Sequence, residues 1–119
     1  MHDFIEALFS LSPAIRYVAV YQNGVLTAAT KPGVANTSAG ESDTYEELLV
    51  NPTLLTLVSQ RGNIDCGGLQ FIVIRYGNFY QFVAPYVGGH ISIAIEPDAD
   101  ALEVVRLIRA ALAHSVGQS

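Results

Sequence analysis

The sequence predicts an α+β fold in three layers, with helices on both faces of an antiparallel sheet. Three observations carry the expectation. First, residues 69–96 read as three strands, 69–76, 79–86 and 90–96, joined by two tight turns. Gly77-Asn78 suits a two-residue type II′ turn, and Gly88-Gly89 closes the second hairpin in the same way. That register sets Arg75 opposite Tyr80, Val73 opposite Phe82 and Ala84 opposite Ile93. Second, both faces of this meander are apolar. One carries Leu69, Phe71, Val73, Tyr80, Phe82, Tyr86, Ile91, Ile93 and Ile95; the other carries Gln70, Ile72, Ile74, Tyr76, Phe79, Gln81, Val83, His90, Ser92 and Glu96. Neither suits full exposure to water, so each needs cover. Third, a separate hairpin and helical segments on either side complete the order helix, strand, strand, helix, strand, strand, strand, helix, with five strands in all.

Each element has its own local reason. Phe4, Ile5, Leu8 and Phe9 form one stripe of a short helix over 3–11, ended by Ser12-Pro13. Residues 15–22 are rich in β-branched and aromatic side chains, and Asn23-Gly24, the strongest short hairpin signal in the chain, leads into 25–30. Residues 31–40 form a loop by their small, polar, Gly/Pro content. Asp43, three residues before Glu46, reads as a helix cap. Pro52 cannot sit inside that helix without losing a hydrogen bond and clashing, so Asn51 is expected to cap a second piece. The expectation is two short helices, 44–50 and 52–60, ended by Gly62. Their apolar residues are Leu48, Leu49, Leu54, Leu55, Leu57 and Val58, and Leu57 lies off the main stripe, which points to a further contact. The last helix follows Pro97, with Asp98 or Asp100 as cap and Glu103 in its first turn. Its core stripe is Ala101, Val104, Val105, Ile108, Ala111 and Leu112; Arg106 and Arg109 point to solvent, and 115–119 are expected to fray.

At 119 residues, half of them hydrophobic and 14% charged, the chain is expected to be one compact domain over 1–119. A net charge of −5 without a basic stripe argues against nucleic acid and against an anionic membrane surface. The start, Met-His-Asp-Phe-Ile-Glu, lacks the basic region of a secretory signal, and no run is long enough to cross a bilayer. The single Cys66 fits a reducing cytoplasm.

No residue constellation fixes a chemistry, and no cofactor, metal or catalytic residue is assigned. Cys66 lacks a neighbouring base, and Asp65 beside it disfavours the thiolate; a thiol enzyme would need His90 brought to it by the fold. Gly67-Gly68 has neither the following helix nor the Lys of a phosphate loop. His2 and Glu6 have metal-compatible spacing but are two ligands where three or four are needed. His114 suits the last turn of its helix. Tyr17, Tyr21, Tyr76, Tyr80 and Tyr86 are candidates for packing or for lining a small-ligand pocket between the broken helix and the sheet. Arg75, on an apolar face, is expected at an edge or paired with Asp43, Glu46 or Glu47.

The element order, the first hairpin (Ile15-Arg-Tyr-Val-Ala-Val-Tyr-Gln-Asn-Gly-Val-Leu26) and the final strand and helix around Pro97 resemble the roadblock (dynein light-chain) family, a profilin-like αβ fold. The likeness covers nearly the whole chain. It departs at the Pro52-broken helix and at Asp65-Cys66-Gly67-Gly68. The resemblance implies strand order 2-1-5-4-3, a middle helix alone on one face, a homodimer, and a non-catalytic role regulating a small GTPase or holding a signalling complex together. It makes 69–76 an edge strand, eight residues with no charge but Arg75, and a homodimer interface of Leu57, Gln70, Ile72, Ile74 and Tyr76 is expected there. The alternatives are a small-ligand sensor and a thiol enzyme using Cys66 and His90.

Overall fold

The computed structural model describes residues 1–37 and 39–117. Its elements are α1 (His2–Phe9), β1 (Ile15–Gln22), β2 (Val25–Thr30), α2 (Gly40–Tyr45), a π-helical turn (Glu46–Val50), α3 (Asn51–Asp65), β3 (Ile72–Arg75), β4 (Tyr80–Tyr86), β5 (Gly89–Ile95) and α4 (Ala101–Gly117). The five strands form one antiparallel sheet in the order β2-β1-β5-β4-β3. This is the order and the α+β architecture expected.

The first face of the sheet holds the main core. Val18, Val20, Phe82, Ile91, Ile93 and Ile95 are fully buried there against Ile5 and Leu8 of α1 and Val105, Ile108 and Leu112 of α4. The α4 stripe is the one the sequence indicates, apart from Ala111, which is only half-buried. Asp100 caps the helix, its carboxylate accepting from the Glu103 amide at 3.2 Å. α4 runs to Gly117; the fraying expected past it, at 118–119, lies outside the described residues.

The turns follow their sequences with one shift. Asn23 and Gly24 both take positive φ, +52° and +83°, as a type I′ turn requires. Gly77-Asn78 is a two-residue loop with Arg75 opposite Tyr80, but neither residue takes positive φ, so it is not the II′ turn expected. The β4–β5 loop is Val87-Gly88 rather than Gly88-Gly89, and Ala84 pairs with Ile91 rather than Ile93. Gly89 is needed elsewhere. It lies in β5 against β1, where an added Cβ would fall 1.9 Å from the Tyr21 carbonyl oxygen. The shift moves the pairing by two residues, so every side chain keeps its expected face.

The middle of the chain departs most from expectation. Residues 40–65 form one continuous helical run instead of two capped pieces. The run begins at Gly40 behind Ala39, so Asp43 lies within its first turns and is not a cap. Asn51 has helical dihedrals and is not a cap either. Pro52 is tolerated because the turn before it opens to π geometry, with the Asn51 amide donating to the Glu46 carbonyl five residues back. The wider turn makes room for the proline ring without ending the helix. Gly62 does not stop the run, which continues to Asp65; the Gly62 carbonyl instead accepts from the Cys66 and Gly68 amides. β3 is four residues long, half of what was expected, because residues 69–71 pair with no strand.

Candidate functional site

The second face of the sheet meets the middle helical run through a layer of buried polar groups. A β-bulge in β1 between Ile15 and Tyr17 breaks the alternation, so Arg16 and Tyr17 both line the same cavity under the run. Arg16 is nearly fully buried. Its Nη2 donates to the carbonyls of Ala35 and Asn36 (3.1 Å for Asn36), and its Nη1 to that of Asn78 at 3.3 Å. The guanidinium also lies 5.3 Å from the Phe79 ring centre and 3.6 Å from the Glu96 carboxylate. It therefore moors Ala35 and Asn36, in the loop after β2, to the β3–β4 turn.

Glu47, 1% exposed on the π turn, is the hub of the layer. Its Oε2 accepts from the Tyr17 hydroxyl at 3.0 Å. Its Oε1 accepts from Asn51 Nδ2 at 2.9 Å and lies 2.8 Å from His90 Nε2. Tyr21 stacks on the His90 ring, 5.6 Å between centres. Burial first, and then the Glu47 carboxylate, push the Tyr17 hydroxyl far above its ordinary range. Gln81 Nε2 donates to Ser92 Oγ beside them, both buried. Among the described residues, Asn51 Oδ1 is buried without a partner. At the rim, Tyr76 donates to Glu46 at 3.3 Å; burial raises the Glu46 carboxyl above its usual value, against the pull of that hydrogen bond. Burial and the Glu46 charge raise the Tyr76 hydroxyl in turn.

This layer binds helix to sheet. The cavity lined by Arg16, Tyr17, Asp43, Glu46, Glu47 and Phe79 measures about 60 Å³. That holds a few water molecules and falls well short of the hundreds of Å³ of a drug-sized site. A larger cavity beside it, about 220 Å³ and lined by Tyr17, Leu26, Ala29, Thr30, Asp43 and Thr44, also lies between the run and the sheet, where the small-ligand pocket was expected. Among the described residues no three His, Cys, Asp or Glu side chains are placed to hold a metal, and His2 and Glu6 gain no third partner.

The opposite side of the same run is open, and among exposed polar residues such as Thr53, Gln60 and Arg61 it carries several large apolar ones. Tyr45, Leu48, Leu49, Leu57 and Ile64 are large and exposed, 61% for Tyr45, 59% for Leu57 and 75% for Ile64. Isolated apolar residues in solvent are ordinary, but several along one helix mark a contact surface.

The expected interface residues are only partly brought together. Leu57 lies on this exposed side; Ile72, Ile74 and Tyr76 are half-buried, Tyr76 against Glu46. Gln70 does not share their face. It precedes β3, where strand alternation does not apply, and accepts from Arg109 of α4 at 2.8 Å. Arg109 lies over the Phe71 ring as well, so it is less free in solvent than its position off the stripe suggested. Arg75 is exposed at the edge, over the Tyr80 ring at 4.8 Å, with its Nη1 on the Tyr76 carbonyl; Tyr76, not Arg75, meets Glu46. Cys66 and His90 are not brought together. Cys66 is exposed at the end of α3, its thiol 3.3 Å from Asp65, while His90 is buried against Glu47. The tyrosines divide between the faces: Tyr17 and Tyr21 in the polar layer, Tyr80 and Tyr86 against the main core, Tyr86 stacked on Phe4.

Arg16 and Asn51 were missed as site residues, and Glu47 was read only as a partner for Arg75. The bulge that turns Arg16 inward leaves no mark in residue periodicity. Glu47 and Asn51 stand four apart, a spacing that does mark a shared helix face.

No protein-family model matches the chain, and no curated protein matches its sequence. Solved structures do match in shape. A Roadblock/LC7 domain from Streptomyces avermitilis superposes with a TM-score of 0.72 at 13% identity, over 99% of this chain and 96% of that one. The gliding protein MglB from Thermus thermophilus gives 0.66 at 12% identity, over 92% and 81%. MglC from Myxococcus xanthus gives 0.62 at 9% identity, over 99% and 98%. At such identities the likeness establishes architecture, and the chain has the roadblock fold.

Proposed function

We propose that this roadblock-fold chain is a single-domain, non-catalytic interaction module of the cytoplasm, working as a homodimer that regulates a small GTPase or holds a signalling complex together. The observation that carries the reading is the set of large apolar residues left open along the middle helical run, Tyr45, Leu49, Leu57 and Ile64. The homodimer interface combines Leu57 with Ile72, Ile74 and Tyr76 of the sheet edge, with Gln70 at its margin. Because β3 spans only Ile72–Arg75, pairing between two edges supplies few backbone bonds. Side chains of the helical run must therefore contribute most of the contact. Shortness also protects the lone edge from indiscriminate pairing, which weakens the sheet-edge argument and shifts weight to the helix.

Sedimentation decides the assembly. The unmodified chain should run as a dimer at micromolar concentration, and Leu57→Asp should run as a folded monomer. Ile72→Lys should give monomer or insoluble protein, because burying an unpaired ammonium is strongly disfavoured. A stable monomer of the unmodified chain would overturn the dimer. The GTPase role is tested by titrating the chain into purified small GTPases of the same organism; hydrolysis rates unmoved at saturation leave the scaffold reading alone.

A further inference from the structure

β3 stops short for a reason that lies in β4. The Tyr76 amide donates to the Phe79 carbonyl at 2.9 Å, so bonded pairs recur at every second residue along the hairpin, Ile74 with Gln81 and Ile72 with Val83. The next would set Gln70 against Pro85, which has no amide hydrogen to give. The ladder ends there, and residues 69–71 leave the sheet toward α4. Phe71 packs on Phe82, 5.9 Å between ring centres, and Gln70 meets Arg109. Beside them, between β4 and α4, lies a cavity of about 270 Å³, larger than the two under the middle run. Its wall is apolar, with Ala84, Tyr86, Leu112 and Ala113 around the Phe82 ring, and Tyr86 is fixed by stacking on Phe4. Small side chains at Ala84 and Ala113 keep the space open.

The rim of this cavity carries a cation. Arg109 Nη2 donates to Gln70 Oε1 at 2.8 Å, and the guanidinium lies 5.0 Å from the Phe71 ring centre, so it is held in place. Arg16, Arg61 and Arg106 lie beside Glu96, Asp65 and Glu103, whereas among the described residues no carboxylate pairs with Arg109. A guanidinium has donors to spare once Gln70 has taken one, and the amide nitrogen of Gln70 can donate beside it. The net charge of −5 repels anions in general, so an unpaired arginine fixed at the mouth of an apolar cavity is a local exception. The geometry points to a binding site for a small aliphatic carboxylic acid, its carboxylate on Arg109 and Gln70 and its chain in the cavity. The volume stands just below that of ordinary ligand sites, which begin at roughly 300 Å³, and suits a free acid of medium chain length. The site lies on the α4 side of the sheet, and of the interface proposed above it shares Gln70 alone.

Octanoate is titrated into the full chain and followed by amide NMR shifts. Saturable shifts should cluster at Gln70, Ala84, Tyr86 and Ala113. Octanol, with the same chain and no charge, should bind about tenfold more weakly, as loss of a charge-assisted hydrogen bond at an exposed cation implies. Acetate, which has the charge without the chain, should leave these amides unmoved. Arg109→Gln should bring octanoate down to the affinity of octanol and leave octanol within about twofold of its parental value. Ala113→Leu places a good helix former at an exposed helical position, so it should stay folded, fill the cavity and take neither probe. An Arg109 that merely holds Gln70 and Phe71 in place would, when replaced, weaken octanoate and octanol alike, which overturns the proposal. So does octanoate that gives no saturable shift at these residues, octanoate no tighter than octanol in the parent, or octanoate held by Ala113→Leu at the parental affinity.

Discussion

Glu46 and Glu47 are adjacent carboxylates in different situations. Glu47 is buried with three hydrogen-bonding neighbours, and Glu46 sits half-buried at the rim, accepting from Tyr76. Burial raises Glu46 above its unfolded value, so the folded state holds that proton more tightly than the unfolded chain does. The stability it contributes is fully present below the ordinary carboxylate value of 4.5 and is lost as pH rises through the raised folded value. Glu46→Gln, whose amide oxygen still accepts from Tyr76, should match the parent near pH 4 and exceed it in stability at pH 7. Urea unfolding at the two pH values checks this; equal midpoints at pH 7 would mean that Glu46 feels no net burial penalty. In the sequence Glu46 appeared as the second member of a capping box. The reading failed because Asp43 and Glu46 lie inside a run whose start, at Gly40, carries no side-chain cap to mark it.

The regular elements were legible where local chemistry and tertiary packing agree. Asn23-Gly24, the α1 and α4 stripes and the alternation of β4 and β5 all point one way, and all appear in the structure. Asp100 belongs with them, and Asp100→Ala should cost about 1 kcal/mol, read as a lower urea midpoint with an unchanged slope; no change would place the start of α4 elsewhere. The middle run was not legible. Pro52 signals a lost i→i−4 bond, and a sequence gives no sign that one wide turn will accommodate it. The inner face of the run was hidden for a related reason. Periodicity finds buried faces by their apolar residues, and this face is marked by Glu47 and Asn51. Leu57 alone, off its expected stripe, hinted that apolar residues point outward.

For the whole molecule, resemblance and pattern gave the architecture, whereas the links between distant segments needed coordinates. Arg16 is the clearest case, a residue the alternation of β1 would pass over. Its bonds to Ala35 and Asn36 span 19 and 20 residues of chain, and the one to Asn78 spans 62. Contacts so far apart are reached only after both long loops have closed, and loop closure is an entropic cost met before such contacts form. The β1–β5 pairing that joins the two hairpins closes a longer loop still, Ile15 to Ile95, and the sheet can form without these side-chain bonds. Fastening of Ala35 and Asn36 to the β3–β4 turn therefore belongs on the native side of the folding barrier. Arg16→Lys, which keeps the charge and loses the planar fork, should speed unfolding and leave the folding rate nearly unchanged in stopped-flow chevrons. Slowed folding would place that guanidinium in the nucleus instead. If the fastening is late, the wall of the cavity and the entry into the helical run are the first parts of the molecule to come loose when it opens.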